Sequence, residues 1–333
     1  MHPGRSCPLH YRYAPSVLAR EPDLIAETLY VVGGLYGNRP ALAALLDLAA
    51  REPGPVTLVF NGDFNWFNVD PEGFSTINRQ VLQHTTLRGN VETEIADDDD
   101  SAGCGCGYPA WVSDAEVARS DEIITRLRAA ARAFPALRER LAMLPMHLVA
   151  EVGGVRTAIV HGDAHSLAGW DFAQEALSDP AHRARIASEF AAANTRIFAS
   201  SHTCLPVAHE FDTPQGACAL INNGAAGMPN FSGAHFGVIT RLATSPARHV
   251  EPLYTLHVDA IHVEALPLHY DHTRWLEEFL ANWPAGSPAH ASYYRRITAG
   301  PAHTVLQAVR SPRKLQTTTA INRSSPTNDI KNE

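Results

Sequence analysis

The stretch TLYVVGGLYGNRPALAALLDLAAREPGPVTLVFNGDFN, residues 28–65, decides the fold class of this chain of 333 residues. It opens with a short apolar run that ends at a Gly-Gly pair, which is typical of a buried strand. Leucine and alanine then recur at helical spacing until a Pro-Gly pair, and a second apolar run, PVTLVF, follows. A strand, a helix and a strand in this order predict two parallel strands joined by a right-handed crossover. The chain is therefore expected to be an α/β protein.

The rest of the chain extends this pattern. Helical spacing predicts helices at about 113–133, 135–143 and 178–196, and a late one at 273–283. MHLVAEVGGVRTAIVHGD (146–163) indicates a hairpin, and short strands dominate after residue 202. We expect an N-terminal extension at 1–27, one domain at 28–285 with an insert of loop and helices at 93–145, a segment at 286–310 packed on the domain, and a disordered tail at 311–333.

Composition limits the classes of partner. The formal net charge is −8, from 27 basic and 35 acidic residues, which argues against binding to nucleic acid or to anionic membranes. No apolar run reaches the roughly 18 residues of a membrane span. The N-terminus lacks the apolar core of a secretory signal, and five cysteines without framework spacing suit a reducing compartment. We expect a cytoplasmic protein, and the sequence does not indicate its oligomeric state.

Polar residues follow several of the predicted strands at the point where each strand ends. Asp63 follows VTLVFNG, His161 follows VRTAIV, and His202 follows RIFASS. Ligands of open α/β sheets bind at this edge, because the loops there converge. A single Asp or His in such a place is commonly a structural residue. Several on one edge favour a functional site.

Five short segments give this pattern a specific order. They read VVGGLYGN (31–38), NGDFN (61–65), RGNVE (88–92), VHGDAHS (160–166) and SSHTCLP (200–206), and INNGAAGMP (221–229) follows them. The set resembles the calcineurin-like metallophosphoesterase superfamily, whose pattern is D-x-H, GD, GN-x-D/E, a His before Gly, and GHxH. The similarity covers about residues 28–242. It implies two facing mixed β-sheets flanked by helices, a four-layer α/β sandwich.

The resemblance also implies a metal site with four side-chain ligands. The residues that match the ligands of one family metal are all present, as Asp63, Asn90, His161 and His202. Their mixed nitrogen and oxygen donors suit Mn²⁺, Fe²⁺ or Zn²⁺. The family's second metal takes the Asp and His of D-x-H and the last His of GHxH. Those three positions hold Gly34, Tyr36 and Cys204, so we expect one divalent metal ion per chain.

The function implied is that of a metal-dependent hydrolase, a phosphoesterase or phosphodiesterase with a metal-bound water as nucleophile. Its substrate would be a small phosphorylated molecule. Loss of the two-ion clamp, with metals about 3.5–4 Å apart, predicts weaker phosphoryl transfer. The alternative is a non-hydrolytic descendant of the fold that binds a metal or a phosphorylated ligand.

Three further residues are candidates for the chemistry. Some family members carry a proton-donating His where this chain has Val91, which leaves His165 and Tyr36 as candidate acids. His165 could instead be a supporting or surface residue. Arg88 could hold a phosphate oxygen or pair with Glu92.

The insert TEIADDDDSAGCGCGYPA (93–110) interrupts the α/β rhythm. It is expected to be a surface loop or lid, with Asp97–Asp100 as a solvated charge cluster, because a calcium loop needs spaced carboxylates. Cys104 and Cys106 lie in this insert and could rebuild a second metal site together with Cys204. The alternative is that the insert is a flexible loop and Cys204 a small core residue.

Overall fold

The computed structural model describes residues 3–5 and 7–310, and the predicted tail at 311–333 lies outside them. Within these residues the strands are β1 Leu24–Ala26, β2 Thr28–Val32, β3 Val56–Asn61, β4 Thr85–Leu87, β5 His147–Val152, β6 Val155–Val160, β7 Ile197–Ser200, β8 Val207–Thr213, β9 Gly216–Asn222, β10 Gly237–Ala243, β11 Tyr254–Val258, β12 Ile261–Leu268 and β13 Val309–Arg310. The helices are α1 Arg39–Ala50, α2 Pro71–Val81, α3 Asn90–Ala96, α4 Asp114–Ala131, α5 Pro135–Ala142, α6 Pro180–Ala192, α7 His272–Asn282, α8 Pro288–Ala299 and α9 Val305–Ala308.

The strands form two mixed sheets. One has seven strands in the order β1-β5-β6-β7-β9-β8-β13, and the other has six in the order β11-β12-β10-β2-β3-β4. In the six-stranded sheet β2, β3 and β4 are parallel, and in the seven-stranded sheet β6, β7 and β9 are parallel. The predicted β2–α1–β3 unit is therefore confirmed, with Leu29 paired to Thr57 in register.

Along the central strands, successive side chains alternate between the core shared by the two sheets and the helices outside them. Leu29 and Val31 of β2 pack into the core between the two sheets, whereas Tyr30 and Val32 pack against helices. On the other sheet Ala158 and Val160 of β6 pack outward on α6, and Ile159 points to the shared core. This period of two is what two packed faces require of a strand.

Helices cover the outer face of each sheet. Leu45 of α1, Phe74 of α2 and Phe279 of α7 lie in the core outside the six-stranded sheet, and Phe190 of α6 lies outside the other. The layers run helix, sheet, sheet, helix, which confirms the expected four-layer sandwich. Of the residues described, no helix has the length and apolarity needed to cross a membrane.

Residues before the first predicted strand are built into the fold. β1 pairs in parallel with β5, with Leu24 opposite Ala150, and extends the seven-stranded sheet. The Tyr11 ring is fully buried and its hydroxyl donates to the Glu94 carboxylate. Helix α8 was not predicted from the sequence, because its run of Ala, Tyr and Arg has no strong apolar period.

One side chain joins the two sheets at the edge where the predicted site residues lie. Asn61 ends β3 and is fully buried, and its Nδ2 donates a 2.8 Å hydrogen bond to the carbonyl of Val160, which ends β6. A buried hydrogen bond of this kind fixes the spacing of the two strand ends.

We predict that Asn61→Ala lowers the free energy of unfolding by about 1–3 kcal/mol, because the Val160 carbonyl loses its buried partner. Urea denaturation followed by circular dichroism measures the change. The control is Gln80→Ala on the exposed face of α2, which should change stability by less than about 0.5 kcal/mol. An Asn61→Ala protein as stable as the control would contradict the assigned role.

Candidate metal centre

Four predicted site residues follow four parallel strands whose ends meet at one edge. Asp63 follows β3 and Asn90 follows β4 in one sheet, whereas His161 follows β6 and His202 follows β7 in the other. All four residues are buried, none being more than 6% exposed. The site therefore lies across the junction of the two sheets.

Their donor atoms converge on the His161 imidazole. His161 Nε2 lies 3.2 Å from Asn90 Oδ1, 3.3 Å from Asp63 Oδ2 and 3.3 Å from His202 Nδ1. With metal–ligand bonds of about 2.1 Å, two ligand atoms of a tetrahedral site lie about 3.4 Å apart. The three distances from His161 Nε2 are those expected between ligands of one divalent cation. Asp63, His161 and His202 also form a group whose ligand atoms lie within 4.8 Å of one another.

Hydrogen bonds on the far side of each imidazole select the nitrogen that faces this centre. His161 Nδ1 lies 2.8 Å from the Asn61 carbonyl, so it carries the proton and leaves the Nε2 lone pair towards the centre. His202 Nε2 lies 2.9 Å from the Cys106 carbonyl, which leaves Nδ1 free in the same way. Such outer hydrogen bonds are typical of metal-binding histidines.

The insert covers the centre. We call residues 103–107, GCGCG, the CxC loop; Cys104 within it is fully buried and Cys106 is 6% exposed. The Cys104 carbonyl accepts a 2.9 Å hydrogen bond from Asn90 Nδ2, which turns the amide oxygen of Asn90 to the centre. The expectation of a surface loop holds for Asp97–Asp100, which are exposed, but the CxC loop is part of the wall of the site.

Asp63 is held in a strained turn. Its φ of 53° is in the left-handed region, which costs a non-glycine residue on the order of 1–3 kcal/mol. The buried Glu92 carboxylate offsets this cost by accepting from the Asp63 backbone N–H at 2.7 Å and from that of Gly89 at 3.0 Å. Burial, together with the charge of Asp63, raises the pKa of Glu92 to about 7.

The charges around the centre favour a cation. Burial opposes ionisation of Asp63, but His161 and His202 and the Val91 N–H outweigh it, so the pKa of the Asp63 carboxyl lies below its usual value. Burial lowers the pKa of His202 to about 4, and His161 contributes to the same shift. A neutral His202 is the form that ligates a metal.

The three positions that differ from the family pattern form a closed, uncharged group beside the centre. The Tyr36 hydroxyl lies 2.9 Å from Cys204 Sγ, and the Cys204 thiol lies 3.1 Å from the His202 carbonyl, to which it donates. A Cβ added to Gly34 would lie 2.2 Å from Cζ of the Tyr36 ring. The ring therefore fills the space that a larger side chain at position 34 needs.

The proposed rebuilding of a second metal site by Cys104, Cys106 and Cys204 does not fit the structure. Cys104 and Cys106 are joined in a disulfide, so neither sulfur is a free thiolate. Burial raises the pKa of the Cys204 thiol, which stays protonated. The disulfide also differs from what a reducing compartment would predict for these cysteines.

Two candidate residues lie away from the centre. His165 Nε2 lies 2.9 Å from the Glu189 carboxylate, and the His165 side chain is 46% exposed. His165 is therefore a surface residue that contacts Glu189, and it is not placed to act as an acid in the site. The Arg88 guanidinium donates to the Ala142 carbonyl at 2.9 Å. It neither reaches the centre nor pairs with Glu92, whose oxygens are taken by backbone N–H groups. Its hydrogen bond to Ala142, the last residue of α5, holds the Arg88 side chain away from the centre.

A cavity of about 400 Å³ opens onto the centre and contains residues that the motifs did not indicate. Asp63, Asn90 and His202 line its floor. Aromatic side chains line its walls: Tyr36, Trp66, Tyr108, Trp111, Trp170 and Tyr293. Arg296 of α8 also lines it. The insert and α8 supply most of these side chains, and neither segment carries a family motif.

We predict that Gly34→Ala destabilises the protein by about 1–3 kcal/mol, because its Cβ would overlap the buried Tyr36 ring. In a Tyr36→Gly background the same substitution should cost much less, since the ring is gone and glycine suits the φ of 56° at position 36. Urea denaturation of the four proteins gives the coupling energy. Equal costs in both backgrounds would show that the ring does not fill this space.

Comparison with known proteins supports the fold. A hypothetical protein from Pyrococcus horikoshii OT3 matches with a TM-score of 0.54 and 16% sequence identity, over 84% of this chain and 100% of that chain. A metallophosphoesterase from Sphaerobacter thermophilus matches with a TM-score of 0.50 and 19% identity, over 82% of this chain and 100% of that chain. No family model matches the sequence, and no curated protein is significantly similar to it. The chain thus has the fold of the metallophosphoesterase from Sphaerobacter thermophilus.

Proposed function

We propose that this protein is a metal-dependent phosphoesterase or phosphodiesterase with a mononuclear centre held by Asp63, Asn90, His161 and His202. The observation that carries the proposal is the convergence of four buried donor atoms, three of which lie 3.2–3.3 Å from the fourth, His161 Nε2. Mn²⁺, Fe²⁺ and Zn²⁺ suit this donor set. The shared fold is consistent with the proposal but does not by itself establish an activity.

A divalent cation held here would polarise a phosphoryl oxygen and lower the pKa of water towards about 7. The protein's own residues fix the geometry around it. The Asn61 and Cys106 carbonyls hold the two imidazoles, and the Cys104 carbonyl holds the Asn90 amide. Because these partners are backbone atoms in buried segments, the centre is ordered before a ligand arrives.

Tyr36 is the candidate proton donor in the cavity. Burial, followed by the nearby Cys204, raises the pKa of its phenol well above the usual value, so the hydroxyl keeps its proton. Cys204 Sγ, 2.9 Å away, holds the hydroxyl in place on the cavity wall. To act as an acid, this neutral phenol turns its one O–H from Cys204 Sγ to a leaving oxygen. Such a weak acid favours substrates whose leaving group is already stable as an anion.

The aromatic walls favour a phosphorylated substrate with a flat, apolar group. Trp111 is 59% exposed and lies edge-on to Trp170, with ring centroids 6.4 Å apart. Trp170 in turn lies 5.4 Å from the His202 ring. These rings form a path from the mouth of the cavity to the centre, on which an aryl group or a nucleobase could stack.

We predict that the purified protein binds close to one Mn²⁺ per chain and hydrolyses bis(p-nitrophenyl) phosphate, an activated diester. Asp63→Asn should lower turnover by at least about 100-fold, because it removes the negative ligand. Plasma emission spectrometry gives the metal content, and absorbance at the p-nitrophenolate band gives the rate. The control is Asp47→Asn on the exposed face of α1.

Metal binding without turnover of any phosphoester would refute the hydrolase proposal. It would support the alternative, a metal- or phospholigand-binding descendant. If the protein neither binds metal nor hydrolyses a phosphoester, both the hydrolase proposal and the alternative are refuted.

We predict that Trp111→Ala raises KM for bis(p-nitrophenyl) phosphate by about tenfold and leaves KM for methyl p-nitrophenyl phosphate less affected, because stacking is worth about 1–3 kcal/mol. Steady-state kinetics on the two esters measures the difference. Trp111 is exposed, so its loss should not unfold the protein. The same change in KM for both esters would mean that Trp111 does not contact the second aryl group.

A further inference from the structure

Arg296 lines the cavity as a cation for which the described part of the chain supplies no anionic partner. It lies near the end of α8, and its guanidinium donates to the Cys204 carbonyl at 2.6 Å through Nη2 and to the Pro229 carbonyl at 3.2 Å through Nε. A guanidinium has five N–H groups, so three find no acceptor within residues 3–5 and 7–310. No carboxylate of this part of the chain lies within 4.0 Å of it.

The Arg296 guanidinium contacts the group of three residues that differ from the family pattern, Gly34, Tyr36 and Cys204, through the Cys204 carbonyl. The residue whose carbonyl it holds, Cys204, contacts Tyr36 through its thiol, and the Tyr36 ring covers Gly34. These three residues contribute no charge. Arg296 therefore places a positive charge on this side of the cavity, beside a centre whose charged ligand is Asp63.

The other charged side chains of the cavity do not neutralise Arg296. Among the lining residues described, Arg296 is the one Lys or Arg, and the acidic ones besides Asp63 are Glu116 and Glu175. Glu116 is paired with Arg119 at 2.5 Å, and Glu175 is exposed at the surface. A partly buried arginine that lacks a carboxylate is suited to bind an anion with its planar fork.

We propose that Arg296 binds a phosphoryl oxygen of the substrate, opposite the cation held by Asp63, Asn90, His161 and His202. This inference rests on the proposed function for the presence of a phosphoryl group. A single phosphoryl group would be held from two sides, by the cation and by the fork of Arg296. The centre thus recognises a phosphoryl dianion or diester anion, and neutral esters would bind poorly.

The test is calorimetric binding of inorganic phosphate to the full chain loaded with Mn²⁺. Arg296→Gln removes the charge but keeps an N–H₂ group for the Cys204 carbonyl, and Arg296→Lys keeps the charge but loses the fork. We expect the Gln variant to bind phosphate about ten- to 100-fold more weakly, and the Lys variant to lie between it and the natural protein. Arg295→Met, an exposed neighbour on α8, is the matched control and should bind normally.

Two further readouts separate binding from stability and from activity. Metal content should stay at one ion per chain in every variant, since Arg296 is not a ligand, and melting curves establish that each variant is folded. If Arg296→Gln does not fold, the Lys variant alone decides: phosphate affinity equal to that of the natural protein overturns the inference. Equal affinity in the Gln variant, or no phosphate binding by the natural protein, overturns it as well. A loss of phosphate affinity in a protein that hydrolyses no ester would support Arg296 while refuting the hydrolase.

Discussion

Three ligand atoms packed around one buried imidazole nitrogen, His161 Nε2, are the constraint on which the rest of this structure depends. Asp63 and Asn90 come from one sheet, and His161 and His202 come from the other. Asn90 Oδ1, Asp63 Oδ2 and His202 Nδ1 lie 3.2–3.3 Å from His161 Nε2. Such an arrangement is repulsive unless a positive charge lies among the atoms. A proton on His161 supplies that charge when no cation is bound, because burial lowers the pKa of His161 but the Asp63 carboxylate outweighs burial and raises it. The protein holds this arrangement with the Asn61 carbonyl, the two CxC-loop carbonyls and the left-handed turn at Asp63. These restraints cost stability, and strained residues of this kind cluster at functional sites.

Beside this ordered half of the site, the other half has been filled rather than left vacant. The Tyr36 ring occupies the volume next to Gly34, and the Cys204 thiol joins it to the loop after β7. Both residues adopt positive φ, 56° and 59°, which residues with side chains rarely do. A site that had merely decayed would not need two strained residues to close it. The neutral group, Arg296 and the aromatic walls together form one side of a single cavity.

The sequence predicted the fold and the four convergent residues because both follow from local patterns in a fixed order. Strand periodicity places Asp63, His161 and His202 at strand ends, and the order of the segments adds Asn90. The spacing of His165 from His161 could not show that its ring turns to Glu189. Neither could the sequence show that Tyr36 folds back on Gly34, since this depends on a left-handed backbone angle. Arg296 lies 92 residues after Cys204, on a helix without a motif, and only tertiary packing brings the two together.

The most direct measurement is the anomalous diffraction of crystals grown with Mn²⁺. The account predicts one anomalous peak per chain, about 2.0–2.2 Å from Asp63, Asn90, His161 and His202, and none beside Tyr36 and Cys204. No peak among the four side chains would contradict it, and so would a second ion seated against Tyr36 and Cys204.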